Sequence, residues 1–231
     1  MKTLLGIFLL LPLFAFSQFN YKKVSLSLGG GATVPHTDIT DFSFAPVISG
    51  GAHYNISPYA AIGIDVETGK LEGNYSTLQN TSEGPRNVPV NSFTNKFLTA
   101  AVDARLQMGQ FTGREVSGFS AVLSRLYAGT GMGIVRSDAE SQNPDEITRQ
   151  YKSTDFIVPV FAGLNIPLLK ELDLEILTLF LNYRLNISFS DDLDALDHAG
   201  STSDDYFSSI SAGVRFNIGP RSPYFYGRTG R

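Results

Sequence analysis

The sequence predicts an all-β fold: an eight-stranded antiparallel up-and-down β-barrel that crosses a membrane after a cleaved export signal. Three observations predict it. Apolar and polar residues alternate with a period of two along most of the chain beyond residue 17. The alternating stretches number eight, and the links between them are mostly short at one end and long and polar at the other. The composition agrees, with 22 Gly, 12% aromatic and only 17% charged residues, where about 25% charged is usual.

The opening segment reads as an address. Lys2 supplies a positive start, residues 4–16 carry no polar side chain, and Ala15-Phe16-Ser17 offers small residues for cleavage. The run is too short for a spanning helix, which needs about 20 residues. An uncleaved anchor is the alternative. The chain divides into a signal at 1–17, a barrel domain at 18–218 and a periplasmic tail at 219–231. Cys is absent, which excludes disulfides, thiolate metal sites, cysteine nucleophiles and a lipoprotein anchor. That suits export into a bacterial envelope. The apolar stretch 156–169 is broken by Pro159, Asn165 and Pro167, so no later segment spans a bilayer as a helix. A net charge of −4 argues against nucleic acid as a partner.

The strands follow in order. In the first, Val24, Leu26, Leu28, Ala32 and Val34 oppose Ser25, Ser27, Gly29, Gly31 and Thr33. The second and third, 42–56 and 59–68, are split by Ser57-Pro58; in the third, Ile62, Ile64 and Val66 oppose Gly63, Asp65 and Glu67. In the fourth, 93–108, Leu98, Val102 and Leu106 oppose Thr99, Asp103 and Arg105. In the fifth, 119–136, Leu126, Met132 and Ile134 oppose Arg125, Tyr127 and three glycines. The sixth covers 155–166. In the seventh, 172–190, the apolar phase slips from even to odd, and a β-bulge near Ile176 and Leu177 absorbs the slip. The eighth, 206–218, is the clearest, with Ile210, Ala212, Val214, Phe216 and Ile218 opposing Ser209, Ser211, Gly213 and Arg215.

Periodicity alone does not say which face is inside, because a soluble lipocalin-like barrel has the same alternation reversed. The residue types decide. The polar faces hold Ser, Gly and Ala with scattered Arg and Asp, which fit a narrow interior. The apolar faces lack charge through their centres, as lipid requires. Aromatics near strand ends (Phe42, Tyr54, Tyr59, Phe93, Phe156, Phe189, Tyr206 and Phe216) are candidates for interfacial girdles.

The signal ending at Ser17-Gln18, the eight-strand rhythm and the last strand Ser211-Ala212-Gly213-Val214-Arg215-Phe216-Asn217-Ile218 resemble the small outer-membrane β-barrel family common in Bacteroidota, often labelled porin-family or PorT-like, with the architecture of the OmpA and OmpX barrels. The resemblance implies a bacterial outer-membrane location and no catalytic residue. It also implies that the final strand, with Ala212, Val214, Phe216 and Ile218, is the signal read by the outer-membrane assembly machinery. That strand usually ends the chain in the family. Here a tail with Arg221, Tyr224, Phe225, Tyr226 and Arg228 follows. It reads as a disordered periplasmic extension, or as a docking peptide for a partner.

Charges on the lumen phase must pair, since an unpaired buried charge costs several kcal/mol. Asp65, Glu67, Asp103, Arg105, Arg125, Arg184 and Arg215 should therefore form a salt-bridge network joined by Tyr127, a plug rather than a conduction path. His53 reads as a lumen hydrogen-bonding residue. His36 and His198 fall in long loops, the latter among Asp191, Asp192, Asp194, Asp197, Asp204 and Asp205. A His oriented by a carboxylate is a catalytic device, but no nucleophile motif accompanies it. The Asp-rich loop lacks EF-hand spacing. No cofactor motif is present. The first functional expectation is a lipid-embedded structural, binding or complex-accessory protein, acting through its long loops or tail, with a larger outer-membrane complex as a potential partner. A narrow passive channel and a rim hydrolase using loop His and Asp are the alternatives.

Overall fold

The computed structural model describes residues 18–36, 41–75, 78–81, 84–87, 91–112, 118–142, 149–172, 174–188 and 206–225. The strands in chain order are β1 Gln18–His36, β2 Asp41–Ser43, β3 Ala45–Asn55, β4 Ala60–Tyr75, β5 Leu78–Thr81, β6 Gly84–Asn87, β7 Asn91–Gln107, β8 Leu126–Gln142, β9 Arg149–Glu171, β10 Leu174–Ser188 and β11 Tyr206–Phe225. Eight of them close one antiparallel ring in the order β1, β3, β4, β7, β8, β9, β10, β11 and back to β1. The closing pairs run from Ala60↔Leu106 to Tyr75↔Asn91 and from Gln18↔Phe225 to His36↔Tyr206. A closed ring leaves no edge of unpaired amides. β2 carries the β3 side of the β4 ladder onward after Phe44, and β5 with β6 forms a separate hairpin in the link that follows β4.

Side-chain direction follows the alternation. Every ring strand turns a large apolar residue outward, among them Leu28, Ile48, Ile64, Val102, Met132, Val160, Leu181 and Ile210, each exposed by 43–63%. The intervening residues point into the lumen. Ser25, Thr33, Glu67, Thr99, Asp103, Ser209 and Ser211 are buried there. Glycines make the lumen wide enough for rings: a Cβ at Gly163 would collide with Tyr127, and one at Gly129 with Phe161.

The structure corrects several expectations. The polar composition of the inward faces predicts a lumen of small and ionic groups. Yet Val47, Leu71, Phe97, Val135, Ile157 and Phe207 form a buried apolar cluster inside it. Phe97 and Phe207 pack with ring centroids 4.9 Å apart. They stand on inward phases that are mostly polar, although on β9 Ile157 shares its phase with the buried Pro159 and Phe161, and they meet only when the ring closes.

Residues 119–123, expected as the start of the fifth strand, are a helical turn, Phe119–Leu123, preceded by another at Gly109–Thr112. Ser124 N–H donates to Ser120 O at 3.0 Å, and the alternation begins only at Leu126. Gly109, Ala121 and Ser124 of this link between β7 and β8 line the cavity at the short-turn end. Tyr59, expected in an outer girdle, is buried at that end with 8% exposure. Tyr54, Phe156, Tyr206 and Phe216 do face outward. The side chains of Phe42 and Phe93, and all of Phe189, lie outside the described residues.

The third strand runs to Tyr75 and the sixth spans 149–171, both longer than the alternation alone marks. The last strand does not stop at Ile218. It continues to Phe225 and pairs with residues 18–22 of β1. The register slips between Lys22 and Val24, where β11 takes an extra residue, and Gly219 sits there at φ +89°. That is a β-bulge built on a left-handed glycine. The boundary drawn at Ile218 marks this bulge, because the bulge inverts the phase. The seventh strand's register is irregular between Glu175 and Thr178. The segment 1–17, His198 with the Asp-rich loop, and residues 226–231 with Tyr226 and Arg228 lie outside the described residues. Among the described residues no helix is long and apolar enough to cross a membrane.

Candidate functional site

The lumen below the apolar cluster holds two polar layers and a cavity. Alternation places the side chains: Asp65 and Glu67 sit two apart on β4 and so share its inner face, as Asp103 and Arg105 do on β7. His53 on β3 and Asp103 on β7 flank Asp65 from the neighbouring strands. Arg184 enters from β10, across the ring.

In the upper layer the Arg184 guanidinium bridges three carboxylates. Its Nη2 donates to Asp65 Oδ2 at 2.6 Å and to Asp103 Oδ2 at 3.3 Å, and its Nε lies 3.8 Å from Glu67 Oε2. It also lies over the Phe161 ring, 4.9 Å from the centroid. Glu67 accepts hydrogen bonds from Ser209 Oγ at 3.1 Å and Asn186 Nδ2 at 3.5 Å. The His53 Nε2 faces Asp65 Oδ1 at 3.4 Å and Asp103 Oδ1 at 3.3 Å.

The lower layer is built round Tyr127. Arg105 and Arg215 lie on its ring at 5.3 and 5.7 Å, and Arg215 also lies over Phe180 at 5.3 Å. Two cations beside one another gain from the electron-rich ring faces between and around them. Arg215 Nη1 donates to Asn165 Oδ1 at 2.8 Å, and Asn165 Nδ2 donates to Gln107 Oε1 at 3.1 Å. Tyr127 donates its hydroxyl proton to Asn182 Oδ1 at 3.0 Å.

Beyond this layer a cavity of about 240 Å³ opens toward the short-turn end, lined by Ser25, Asn55, Arg105, Gln107, Asn165 and Arg215 among others. A smaller space of about 30 Å³ lies between the layers.

The residues assigned to one network from the sequence thus divide. Asp65, Glu67, Asp103 and Arg184 meet directly. Arg105, Tyr127 and Arg215 form a second group with no carboxylate within ion-pair distance among the described residues. Arg125 belongs to neither: it sits at the cavity rim, its Nη1 3.8 Å from Glu175 Oε1. It precedes β8, so its side chain follows the link rather than the strand. Asn165, Asn182, Asn186 and Ser209 are members of these layers that the sequence does not single out, because neutral polar residues on an inward phase look alike. The phase itself is the signal that marks them as lumenal.

Ala212, Val214, Phe216 and Ile218 lie on the outward phase of β11, with Phe216 and Ile218 exposed by 48% and 44%. Arg221 is exposed opposite Lys22, and Tyr224 and Phe225 pair with Phe19 and Gln18.

Neither a protein-family model nor a curated protein matches the chain. Among solved structures it is similar to Neisserial surface protein A, at 11% identity over 87% of this chain and 99% of that one, with a TM-score of 0.45. It is similar to Ail, the attachment invasion locus protein of Yersinia pestis, at 10% identity over 85% and 99%, with a TM-score of 0.45. A major outer membrane protein from Thermus thermophilus gives 11% identity over 86% and 99%, with a TM-score of 0.44.

Proposed function

We propose that this chain is an integral outer-membrane β-barrel of the small PorT-like kind, with a structural, binding or complex-accessory role carried by surfaces beyond the membrane. The observation that carries this reading is the outward belt. Leu28, Ile48, Met132 and Ile210 stand 56–63% exposed around a closed ring whose interior holds Glu67, Asp103 and Arg184. Soluble monomers rarely expose apolar patches beyond a few hundred Å², and a closed ring is the only sheet that hydrocarbon tolerates.

The belt has an edge. On β4, β7, β8 and β9 the outward apolar run gives way to Lys70, Lys96, Arg136 and Lys152 toward the long links, and Lys152 pairs with Asp138 at 3.1 Å. A tilted strand needs about 9–11 residues to span. β9 and β11 have 23 and 20 residues, so they extend past the lipid. These extensions and the links they carry are the surfaces on which a partner docks. Outer-membrane lipid contacts the belt, and the assembly machinery reads the last strand.

The passive-channel reading is disfavoured by the Phe97–Phe207 cluster and the bridged Arg184, which obstruct the barrel axis at two levels. The loop residues on which a rim hydrolase would rest, His198 and the aspartates around it, lie outside the described residues. Envelope fractionation tests the proposal: the protein is expected in the outer membrane, extracted by detergent and not by carbonate or high salt. In planar bilayers the purified barrel is expected to give no steady conductance. Recovery in a soluble fraction without detergent overturns the membrane reading, and a reproducible open conductance overturns the sealed lumen.

A further inference from the structure

We infer that His53, Asp65 and Asp103 form a binding site for one divalent transition-metal ion inside the barrel. The donors come from three adjacent strands, β3, β4 and β7, and their side chains are exposed by 1%, 15% and 0%. His53 Nε2 is 3.4 Å from Asp65 Oδ1 and 3.3 Å from Asp103 Oδ1. All three donor atoms lie within 4.8 Å of one another.

These contacts are close enough for hydrogen bonds but are not aligned as such. Among the described residues neither nitrogen of His53 has a hydrogen-bond partner, nor does Asp103 Oδ1, although all three are buried. An imidazole so placed gives up its hydration without gaining a hydrogen bond in exchange, which is unfavourable for each buried nitrogen. The same separations match a metal's coordination edge. Bonds of about 2.0–2.1 Å at the tetrahedral angle hold neighbouring donors about 3.3–3.4 Å apart.

Arg184 completes the pattern. It takes Oδ2 of both aspartates and leaves both Oδ1 atoms facing the imidazole. Ligating carboxylates are commonly held by such an outer partner. Charge points the same way. Among the described residues, with neutral His53, the layer has three carboxylates, Asp65, Glu67 and Asp103, against the single cation Arg184. A divalent cation brings it to neutrality, and the low dielectric of a packed lumen favours that strongly. The adjoining space of about 30 Å³, which His53 and Asp65 help line, has room for a water as fourth ligand. An imidazole with two carboxylates suits zinc and its first-row neighbours better than magnesium or calcium, which take oxygen. The apolar cluster closes one side of the site and the Arg105–Tyr127–Arg215 layer the other, so the ion enters as the barrel folds.

The test is to refold the full mature chain from urea into detergent with Zn²⁺, Co²⁺, Mg²⁺ or a chelator. Correct folding is scored by heat-modifiable gel migration, and bound metal is measured after gel filtration. The expected result is about one Zn²⁺ per folded chain, visible ligand-field bands of four-coordinate Co²⁺, no retained Mg²⁺, and a higher thermal midpoint with Zn²⁺ than with chelator. His53→Gln and Asp103→Asn should each weaken retention about tenfold or more. If a variant fails to fold, the wild-type stoichiometry and the Co²⁺ spectrum decide. A folded wild-type chain without Zn²⁺ or Co²⁺ bands, or folded His53→Gln that retains metal as well as the wild type, overturns the site. The first of these outcomes leaves His53 as a buried neighbour of the two aspartates with no metal between them.

Discussion

Arg184 and Asp65 stand on opposite walls of the barrel and meet in its middle, with Nη2 2.6 Å from Oδ2. Three strands separate β10 from β4 in either direction round the ring. The ion pair is thus a strut across the full width of the lumen. Glu67 repeats the arrangement through Asn186 and Ser209. A strut of this kind does two things at once: it neutralises buried charge and blocks the axis.

Removing the cation should be costly. Arg184→Met leaves Asp65, Glu67 and Asp103 facing one another without it, and a buried pair broken on one side typically loses about 3–5 kcal/mol. Urea unfolding in detergent should show that loss. Adding Asp65→Asn should recover part of it, since the pair is coupled. Arg184→Met within experimental error of the wild type would show that the strut bears no stability.

Tyr127 carries two guanidinium groups on its ring, so the ring matters more than its hydroxyl. Tyr127→Phe forfeits the bond to Asn182 and should cost about 1 kcal/mol. Tyr127→Ala removes the ring from Arg105 and Arg215 together and should cost about 3–5 kcal/mol. Thermal midpoints of heat-modifiable migration rank the two; equal losses would assign the layer's stability to the hydroxyl.

The belt predicts an asymmetry between outward positions. Leu28→Arg places a cation against hydrocarbon and should destabilise by about 2–4 kcal/mol near the midplane. Lys96→Leu, at the belt's edge, should stay within about 0.5 kcal/mol. On a water-facing wall Leu28→Arg would be neutral, so unfolding free energies of this pair separate the two environments.

The bulge in β11 depends on Gly219 at φ +89°. Gly219→Val should cost about 1–2 kcal/mol, because a Cβ crowds the carbonyl in the left-handed region. A chain ending at Ile218 loses the pairing of residues 18–22 with 221–225. Limited proteolysis should then cut within residues 18–22 of the shortened protein and spare them in the full one. Equal protection in both would show that this extension adds nothing to the barrel.

Much of the barrel was legible in the chain. Alternation marks where Ile210, Val214 and Phe216 point without any knowledge of neighbours, because successive side chains on a strand face opposite ways. The even strand count and lopsided links then suggest the up-and-down ring. The failures have local causes. The stretch Phe119–Leu123 is apolar enough to pass for a strand, yet its closest hydrogen-bond partners are its own backbone, at Ser120 and Val122. The bulge at Gly219 inverts the phase, so the strand looked finished where it only turned.

The candidate site was legible only as a set of residues. The sequence by itself determined that Asp65, Glu67, Asp103, Arg105, Arg184 and Arg215 share the inward phase, since parity is a property of one strand. Tertiary structure alone decided that Arg184 reaches Asp65, that Arg105 and Arg215 stack on Tyr127, and that His53 stands between two aspartates. Those meetings depend on ring closure and on the stagger between strands far apart in the chain. A shift of one register position would exchange the inner and outer faces. No single strand carries that information; it exists only once the ring is closed.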